Sequence, residues 1–398
     1  MKIMALGLRG VPGVAGGIET HCEHLYPPVV SAGCDVELVV RSRYAPDATG
    51  RAWRGVRIKR IWSPRGNGFE TIVHTLFGVL YAGISRPDIL HLHAIGPAIY
   101  TPLARALGLR VVVTHHGSDY ERAKWGPLGK LILRAGERAA MRFAHAVISV
   151  SSSRAAELRA EYGREVLFVP NGVPAIERPA DCRVLAELGL EPGKYVLHVG
   201  RSAPEKRQDD LIEAFRRCRL PGWRLAIVGD MTGSDAHSRR VRELAESDPR
   251  VVLAGFRQGD ALRALLTHAG CFALPSTIEG FSIALLEALS AGCPVVASNI
   301  RANHEVELPT ECYFEVGDIE GLAECLRRVG QQEASNVWKN LQTKVRADFG
   351  WPRIATETVR IYRSVSAGSS AMPAQRSGQG DEVDSTKPEG KSAMGRTQ

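Results

Sequence analysis

The stretch Pro275-Ser-Thr-Ile-Glu-Gly-Phe-Ser-Ile-Ala-Leu-Leu-Glu-Ala-Leu-Ser-Ala-Gly-Cys-Pro-Val-Val-Ala297 reads as loop, helix and strand in succession. Residues 271–274 before it are a short apolar run, and residues 294–297 at its end are another. A strand, a crossover helix and a second strand form the repeating unit of a parallel α/β sheet. Ser282 suits the N-cap of the helix, because its hydroxyl can accept from the first free amides. The amides of residues 282–284 then point together at a helix N-terminus, where an anion is welcome. Glu279 lies in the loop, and Glu287 lies eight positions on, inside the apolar run 283–289. A carboxylate among apolar neighbours is costly unless a ligand donates hydrogen bonds to it. Paired hydroxyls of a sugar or a ribose do this. A carboxylate pair for glycoside hydrolysis fits the same residue types, and residue spacing does not give the distance that would distinguish the two.

The same alternation extends outward from this unit. Residues 195–199, 224–228 and 251–254 read as further strands of the second half, and residues 2–8, 36–40, 89–93, 111–115, 146–150 and 166–169 as strands of the first. The organisation expected is α/β throughout: a first domain over 1–178, a helix-bearing linker over 179–193, a second domain over 194–350 and a last helix over 351–365. Residues 366–398 contain no Leu, Ile or aromatic side chain and are expected to be disordered.

With 398 residues there is material for two cores. Hydrophobic residues are 44% and charged residues 24%, as in ordinary soluble domains and unlike a collagen, a coiled coil or a disordered chain. The net charge of +8 suits an anionic partner: a nucleotide, a nucleic acid or an acidic membrane face. A nucleic-acid module would interleave aromatic with basic residues, and aromatics are only 6% without such a pattern. The longest apolar run, residues 71–84, is too short to span a bilayer and contains His74. Residues 3–8 are followed at once by Arg9, unlike a signal peptide. Cysteines 22, 34, 182, 218, 271, 293, 312 and 325 sit singly among apolar neighbours, as buried thiols do in a reducing cytosol.

Three further motifs lie at strand ends, where open α/β sheets bind ligands. Gly7-Leu-Arg-Gly-Val-Pro-Gly-Val-Ala-Gly-Gly-Ile-Glu19 joins the first strand to the first helix, and its glycines let backbone amides approach an anion. It is neither a G-x-G-x-x-G fingerprint nor a Walker loop. Val199-Gly-Arg-Ser-Ala-Pro-Glu-Lys-Arg207 places Arg201 and Lys206 on one loop, a fork and a point charge suited to a diphosphate. Val112-Val-Thr-His-His-Gly-Ser-Asp119 ends a strand with His115 and His116. Neighbouring strand positions point to opposite faces, so one of the two faces the cleft. His91 and His93 are read as structural, and the absence of an H-x-x-x-H or Cys/His grouping argues against zinc.

Taken together, these residues resemble the retaining glycosyltransferases of family 4. The matching elements are Glu279…Glu287, Gly200-Arg201…Glu205-Lys206, Val169-Pro-Asn-Gly-Val173 and His116-Gly-x-Asp119. Residues 9–20 are similar to a bacterial subgroup that builds exopolysaccharide or O-antigen. The resemblance covers residues 1–365 and implies the GT-B fold: two Rossmann-like domains facing a central cleft, with the C-terminal helix crossing back to the first. It implies that Arg201 and Lys206 bind the donor diphosphate and offset charge on the departing nucleotide. Glu287 would hold the ribose, and Glu279 hydroxyls of the transferred sugar. Gly280, Phe281, Ser282 and Ile283 would help on phosphate or sugar, and His116 would contact the sugar near its reacting carbon. Gly16 and Gly17 would let their loop close over the phosphates. No cofactor or metal is implied beyond a nucleotide-diphosphate-sugar donor. The acceptor expected is a glycan or a polyprenyl-linked glycan at the inner membrane face, reached from the cytoplasm. Residues 120–142 carry Arg122, Lys124, Lys130, Arg134, Arg138 and Arg142 among Trp125, Leu128, Leu131, Ile132 and Leu133, a pattern suited to an anionic bilayer. The other enzyme reading is a GT-B-fold sugar-nucleotide 2-epimerase.

Overall fold

In each half of the chain the strands spread in both directions from the first one. The computed structural model describes residues 1–44, 52–66, 68–122, 124–331 and 336–368, so residues 369–398 of the polar tail lie outside it. The first half contributes β1 (Lys2–Leu6), β2 (Asp35–Arg41), β3 (Ala52–Trp53), β4 (Val56–Ile61), β5 (Ile89–His93), β6 (Val111–His115), β7 (Ala146–Ser149) and β8 (Leu167–Phe168). They form one sheet in the order β3-β4-β2-β1-β5-β6-β7-β8, parallel except for the β3–β4 hairpin. The second half contributes β9 (Tyr195–Val199), β10 (Arg224–Val228), β11 (Val251–Gly255), β12 (Cys271–Leu274), β13 (Val295–Ser298) and β14 (Tyr313–Phe314), in the order β11-β10-β9-β12-β13-β14. In both sheets the winding direction reverses beside the first strand: between β1 and β5, and between β9 and β12. Such a reversal leaves a crevice beyond the carboxyl ends of those two strands.

The central strands are buried along their whole length, as parallel strands covered on both faces must be; β6 is an example. On one face the first sheet packs Leu25, Tyr26 and Val29 of helix Gly17–Ser31 together with Ile354, Val359 and Tyr362 of helix Trp351–Ser366. The other face carries Val79 and Ala82 of helix Phe69–Ser85 and Ala140 and Met141 of helix Pro127–Phe143. A separate core built around Phe215, Phe272 and Leu285 holds the second sheet. Helix Trp351–Ser366 therefore crosses back to the first half, as the resemblance implied. Its entry is fixed where Gly172 leaves room for Trp351, whose ring would lie 2.5 Å from a Cβ there.

The halves touch at named points. Glu305 Oε1 accepts from the amides of Ser152 (2.7 Å) and Ser153 (3.3 Å) at the start of helix Ser152–Tyr162. Asn171 Nδ2 donates to the carbonyl of Phe281 at 2.6 Å. A Cβ on Gly280 would lie 2.0 Å from the carbonyl oxygen of His116.

The basic stretch 120–142 is not one surface. Arg122 pairs with Asp119 at 3.2 Å and faces Glu205 of the second half at 4.0 Å, and Lys124 lies over the Trp125 ring. Helix Pro127–Phe143 begins only after them. Its exposed stripe runs Leu128, Leu131, Arg134, Arg138 and Arg142, with Lys130 half-buried beside it.

Candidate active site

The crevice of the second sheet gathers the two loops that follow β9 and β12. The amide of Thr277 donates to the carbonyl of Glu205 at 2.9 Å, which ties the loops together. Lys206 closes the short 3-10 turn Pro204–Lys206, and its Nζ donates to Glu279 Oε1 at 2.5 Å. Burial alone would raise the Glu279 carboxyl, and the Lys206 ammonium more than offsets this and holds it below the usual carboxylate range. Arg201 donates to the buried Glu205 at 2.9 Å while its guanidinium stays about half exposed. His198 near the end of β9 has a buried Nε2 without a hydrogen-bond partner among the described residues, and burial pushes its imidazole down to about 4. The sequence reading did not single it out.

Ser282 caps helix Ile283–Ser290, its hydroxyl accepting from the amide of Leu285 at 3.3 Å. Leu285, Leu286, Ala288 and Leu289 are buried, whereas Ile283, Ala284 and Glu287 form the less deeply buried side. The Glu287 side chain has no hydrogen bond or ion pair among the described residues, and burial pushes its carboxyl up to about 7. The Phe281 ring is core, 5.3 Å from Phe349, so only its backbone faces the other half. The Gly280 backbone lies close against His116 and Gly117, and a side chain there would hold the halves apart.

From the first half come the Gly-rich loop and the histidines. Gly16, at φ +151°, is the N-cap of helix Gly17–Ser31. A Cβ there would strike the Glu19 carboxylate that binds the Arg9 amide and Nε at 3.0 Å each. Gly17 has open space around it. The loop reaches the second half at Gly13, beside the Gln258 side chain.

His115 and His116 part company as strand geometry requires. His115 Nε2 bonds Glu137 at 2.8 Å, inside a buried group that includes Arg154 and Tyr162. Burial would raise the Glu137 carboxyl, but His115 and Arg154 hold it down to about 2. His116 turns the other way, and its Nε2 meets His93 Nδ1 at 3.0 Å. The His21 ring stands edge-on to His116 at 4.8 Å, with its Nδ1 on Asn171 Oδ1 at 2.9 Å. His93 and His91, read from sequence as structural, both join this group. His93 Nε2 lies 2.6 Å from Tyr26 Oη, and His91 Nδ1 lies 2.6 Å from Tyr362 Oη. Burial pushes His21 down to about 4 and His91 to about 3, with His93 and His116 also well below the usual imidazole range. These rings are therefore neutral at pH 7. Nitrogens of His21, His93 and His116 lie within 4.8 Å of one another, a grouping that resembles a three-imidazole metal site and that no local spacing announces.

A family model described as Glycosyltransferase Family 4 matches residues 15–175, and one described as Glycosyl transferases group 1 matches residues 193–332. A glycogen synthase of Mycobacterium tuberculosis is 28% identical over 407 residues, covering 92% of this chain and 96% of that protein. The GDP-mannose:cellobiosyl-diphosphopolyprenol alpha-mannosyltransferase of Xanthomonas oryzae pv. oryzae is 28% identical over 313 residues, covering 75% of this chain and 79% of that one. Among solved structures, sucrose-phosphate synthase from Thermosynechococcus elongatus superposes with a TM-score of 0.80 at 23% identity, over 92% of this chain and all of that one. Anabaena HepE in complex with UDP-glucose superposes with a TM-score of 0.75 at 19% identity, over the same 92% of this chain and all of that one. Matches on both halves, relatives named as a glycogen synthase and a mannosyltransferase over three quarters or more of the chain and a shared arrangement of two sheets agree, and the chain belongs to the family 4 glycosyltransferases, hexosyl-transferring enzymes of the GT-B fold.

Proposed function

We propose that this enzyme moves a sugar, with retention of its anomeric configuration, from a nucleotide-diphosphate-sugar to a glycan or polyprenyl-linked glycan in the making of a cell-surface polysaccharide. The observation that carries the donor is Glu287. An unpartnered, desolvated carboxylate five residues past a capped helix N-terminus is expensive until ribose hydroxyls donate to it. The diphosphate then falls toward the amides of residues 282–284, Lys206 and Arg201. Lys206 divides itself between Glu279 and the departing phosphate, so Glu279 stays charged to accept from sugar hydroxyls. Positive charge aimed at the leaving group is the main catalytic term. The acceptor hydroxyl attacks from the face that the nucleotide leaves, and a phosphate oxygen takes its proton. Arg201, Lys206 and the helix N-terminus supply the charge that a metal would otherwise bring. The polyprenol-linked acceptor is supported by the name of the Xanthomonas relative.

Among the described residues no helix is long and apolar enough to cross a membrane. Contact with an anionic leaflet would come from the stripe on helix Pro127–Phe143. Helix Phe69–Ser85, whose Gly68 end abuts Trp125, adds exposed Phe77, Leu80 and Ile84. The testing experiment is a screen of nucleotide release from UDP-, GDP- and dTDP-sugars with and without an acceptor. Release that rises with acceptor is expected. Conversion of the donor to an epimer without net release would favour the 2-epimerase instead.

A further inference from the structure

The histidine group behind the cleft has a direction. His116 is the ring that the family resemblance places at the sugar near its reacting carbon, and a neutral imidazole can present there either an N–H or a lone pair. These are opposite chemistries, a donor to a sugar oxygen or a base. The partners of the ring decide between them.

The chain of contacts runs Thr114 Oγ1 to His91 Nε2 (2.7 Å), His91 Nδ1 to Tyr362 Oη (2.6 Å), Tyr26 Oη to His93 Nε2 (2.6 Å) and His93 Nδ1 to His116 Nε2 (3.0 Å). Tyr26 Oη also lies 3.1 Å from His91 Nδ1. Both phenols are fully buried, which pushes them above the ordinary tyrosine range, so each keeps its proton. A phenol is a strong donor and a poor acceptor, because its lone pair is drawn into the ring. His91 Nδ1 has one lone pair and gives it to the nearer phenol, Tyr362. His91 is then protonated at Nε2 and donates to Thr114. Tyr26 Oη also meets Tyr362 Oη, but its proton goes to the stronger acceptor 2.6 Å away, His93 Nε2, so His93 carries its own proton on Nδ1. Among the described residues that N–H has one acceptor within reach, His116 Nε2 at 3.0 Å. His116 must then be protonated on Nδ1, the ring nitrogen with no partner among the described residues.

We infer that Tyr26 and His93, backed by His91 and by Tyr362 of the returning C-terminal helix, are positioning residues that lock His116 as its Nδ1–H tautomer and make it a hydrogen-bond donor to the substrate. What His116 meets rests on the transferase reading; its tautomer does not. A donor here fits a reaction in which the phosphate takes the acceptor proton, since no base is needed on this side. It also gives helix Trp351–Ser366 a role at the site, from the sheet face that it shares with helix Gly17–Ser31.

The test is a long-range proton–nitrogen correlation spectrum of protein labelled with nitrogen-15 in histidine, at neutral pH, with His116→Asn supplying the assignment. The expected result is His116 protonated on Nδ1 and bare on Nε2, and in Tyr26→Phe a mixture of tautomers. An Nε2–H tautomer in the wild type, or an unchanged spectrum in Tyr26→Phe, overturns the inference. Kinetics give a second reading. His93→Asn places an amide N–H where Nδ1–H was, and His93→Gln places it where Nε2 was. The Asn variant should keep kcat within about threefold, and the Gln variant should lose about 10-fold with the donor KM unchanged, the size expected for one directed hydrogen bond. Equal losses in both would make His93 mere packing. If the tautomer is as assigned and no nucleotide-sugar is turned over, the transferase reading fails and this inference stands.

Discussion

Replacing Glu287 by Gln should stabilise the empty protein at neutral pH and weaken its hold on nucleotide. The carboxyl is raised from 4.5 to about 7 by burial alone. At 1.36 kcal/mol per unit this difference is about 3 kcal/mol. The folded state keeps its proton up to about 7, whereas the unfolded chain loses it near the ordinary carboxylate value. Stability therefore falls as pH rises from the unfolded to the folded pKa, and the full cost is present above both. Glutamine carries no such cost. Urea unfolding of both proteins from pH 4 to 8.5 should give coincident stabilities at the acid end and a gap opening toward ~3 kcal/mol at the alkaline end. Other titrating groups are common to both proteins and cancel in the difference. A saturating nucleoside diphosphate should close much of the gap, because ribose hydroxyls replace the lost hydration of the carboxylate. Near pH 6, wild type should release close to one proton more than Glu287→Gln on binding, read by calorimetry in buffers of different ionisation enthalpy. Parallel stability curves would show that the carboxyl is not desolvated. Equal proton release would place the ribose somewhere else.

Lys206→Ala should lower transfer at least about 100-fold, the usual scale for losing one preorganised charge at a developing anion; turnover near wild type in a folded variant would sink the phosphate assignment. Exhaustive chelation should leave activity intact, and a loss restored by Mg²⁺ or Mn²⁺ would move the charge away from Arg201 and Lys206, whereas one restored only by Zn²⁺ would point to His21, His93 and His116. Gly280→Ala should cut kcat/KM by 10-fold or more while leaving the melting temperature nearly unchanged, because the added Cβ strikes the His116 carbonyl and touches neither core; unimpaired turnover would show that this approach is not needed. Lys130, Arg134, Arg138 and Arg142 should hold the protein on anionic vesicles at about 1 kcal/mol each at low salt and release it near 1 M salt; no co-sedimentation of wild type at low salt would withdraw the membrane partner.

Much of the fold was legible because parallel strands are apolar runs bounded by glycine and proline. Strands β5, β6, β9, β10 and β12 fall where their runs begin and end. The strands passed over fail for separate reasons. Val56–Ile61 alternates buried Val56 and Ile58 with exposed Arg57 and Lys59, so it lacks the continuous run of a doubly covered strand and shows only the period-two pattern of a half-covered one. Tyr313–Phe314 is two residues long and carries no periodicity. The basic stretch 120–142 went wrong at its start, because Gly126-Pro127 begins the helix and leaves Arg122 and Lys124 on the cleft loop.

The donor-side residues were legible for a different reason from the one that hid the histidines. Glu279, Ser282 and Glu287 belong to one loop and one helix, so their relation is fixed by eight consecutive steps of chain and a helical repeat. Lys206 is further off in sequence, but its loop follows β9 as that of Glu279 follows β12, and neighbouring strands on either side of a winding reversal must bring such loops together. In the first sheet β5 pairs with β6, which brings His93 at the end of one beside His116 just past the end of the other. Topology alone therefore predicts that those two meet. The rest of the group needs a third layer of information. Tyr26 comes from the helix after β1, Asn171 from the segment after β8, and Tyr362 from a helix that has returned from the other half. Each is an ordinary buried polar residue at its own place in the chain. Buried imidazoles and phenols must find partners, and in a sheet interior the partners within reach are one another. The polar group thus follows from the demand to satisfy hydrogen bonds once the crossover helix has docked, which is why no local spacing announces it.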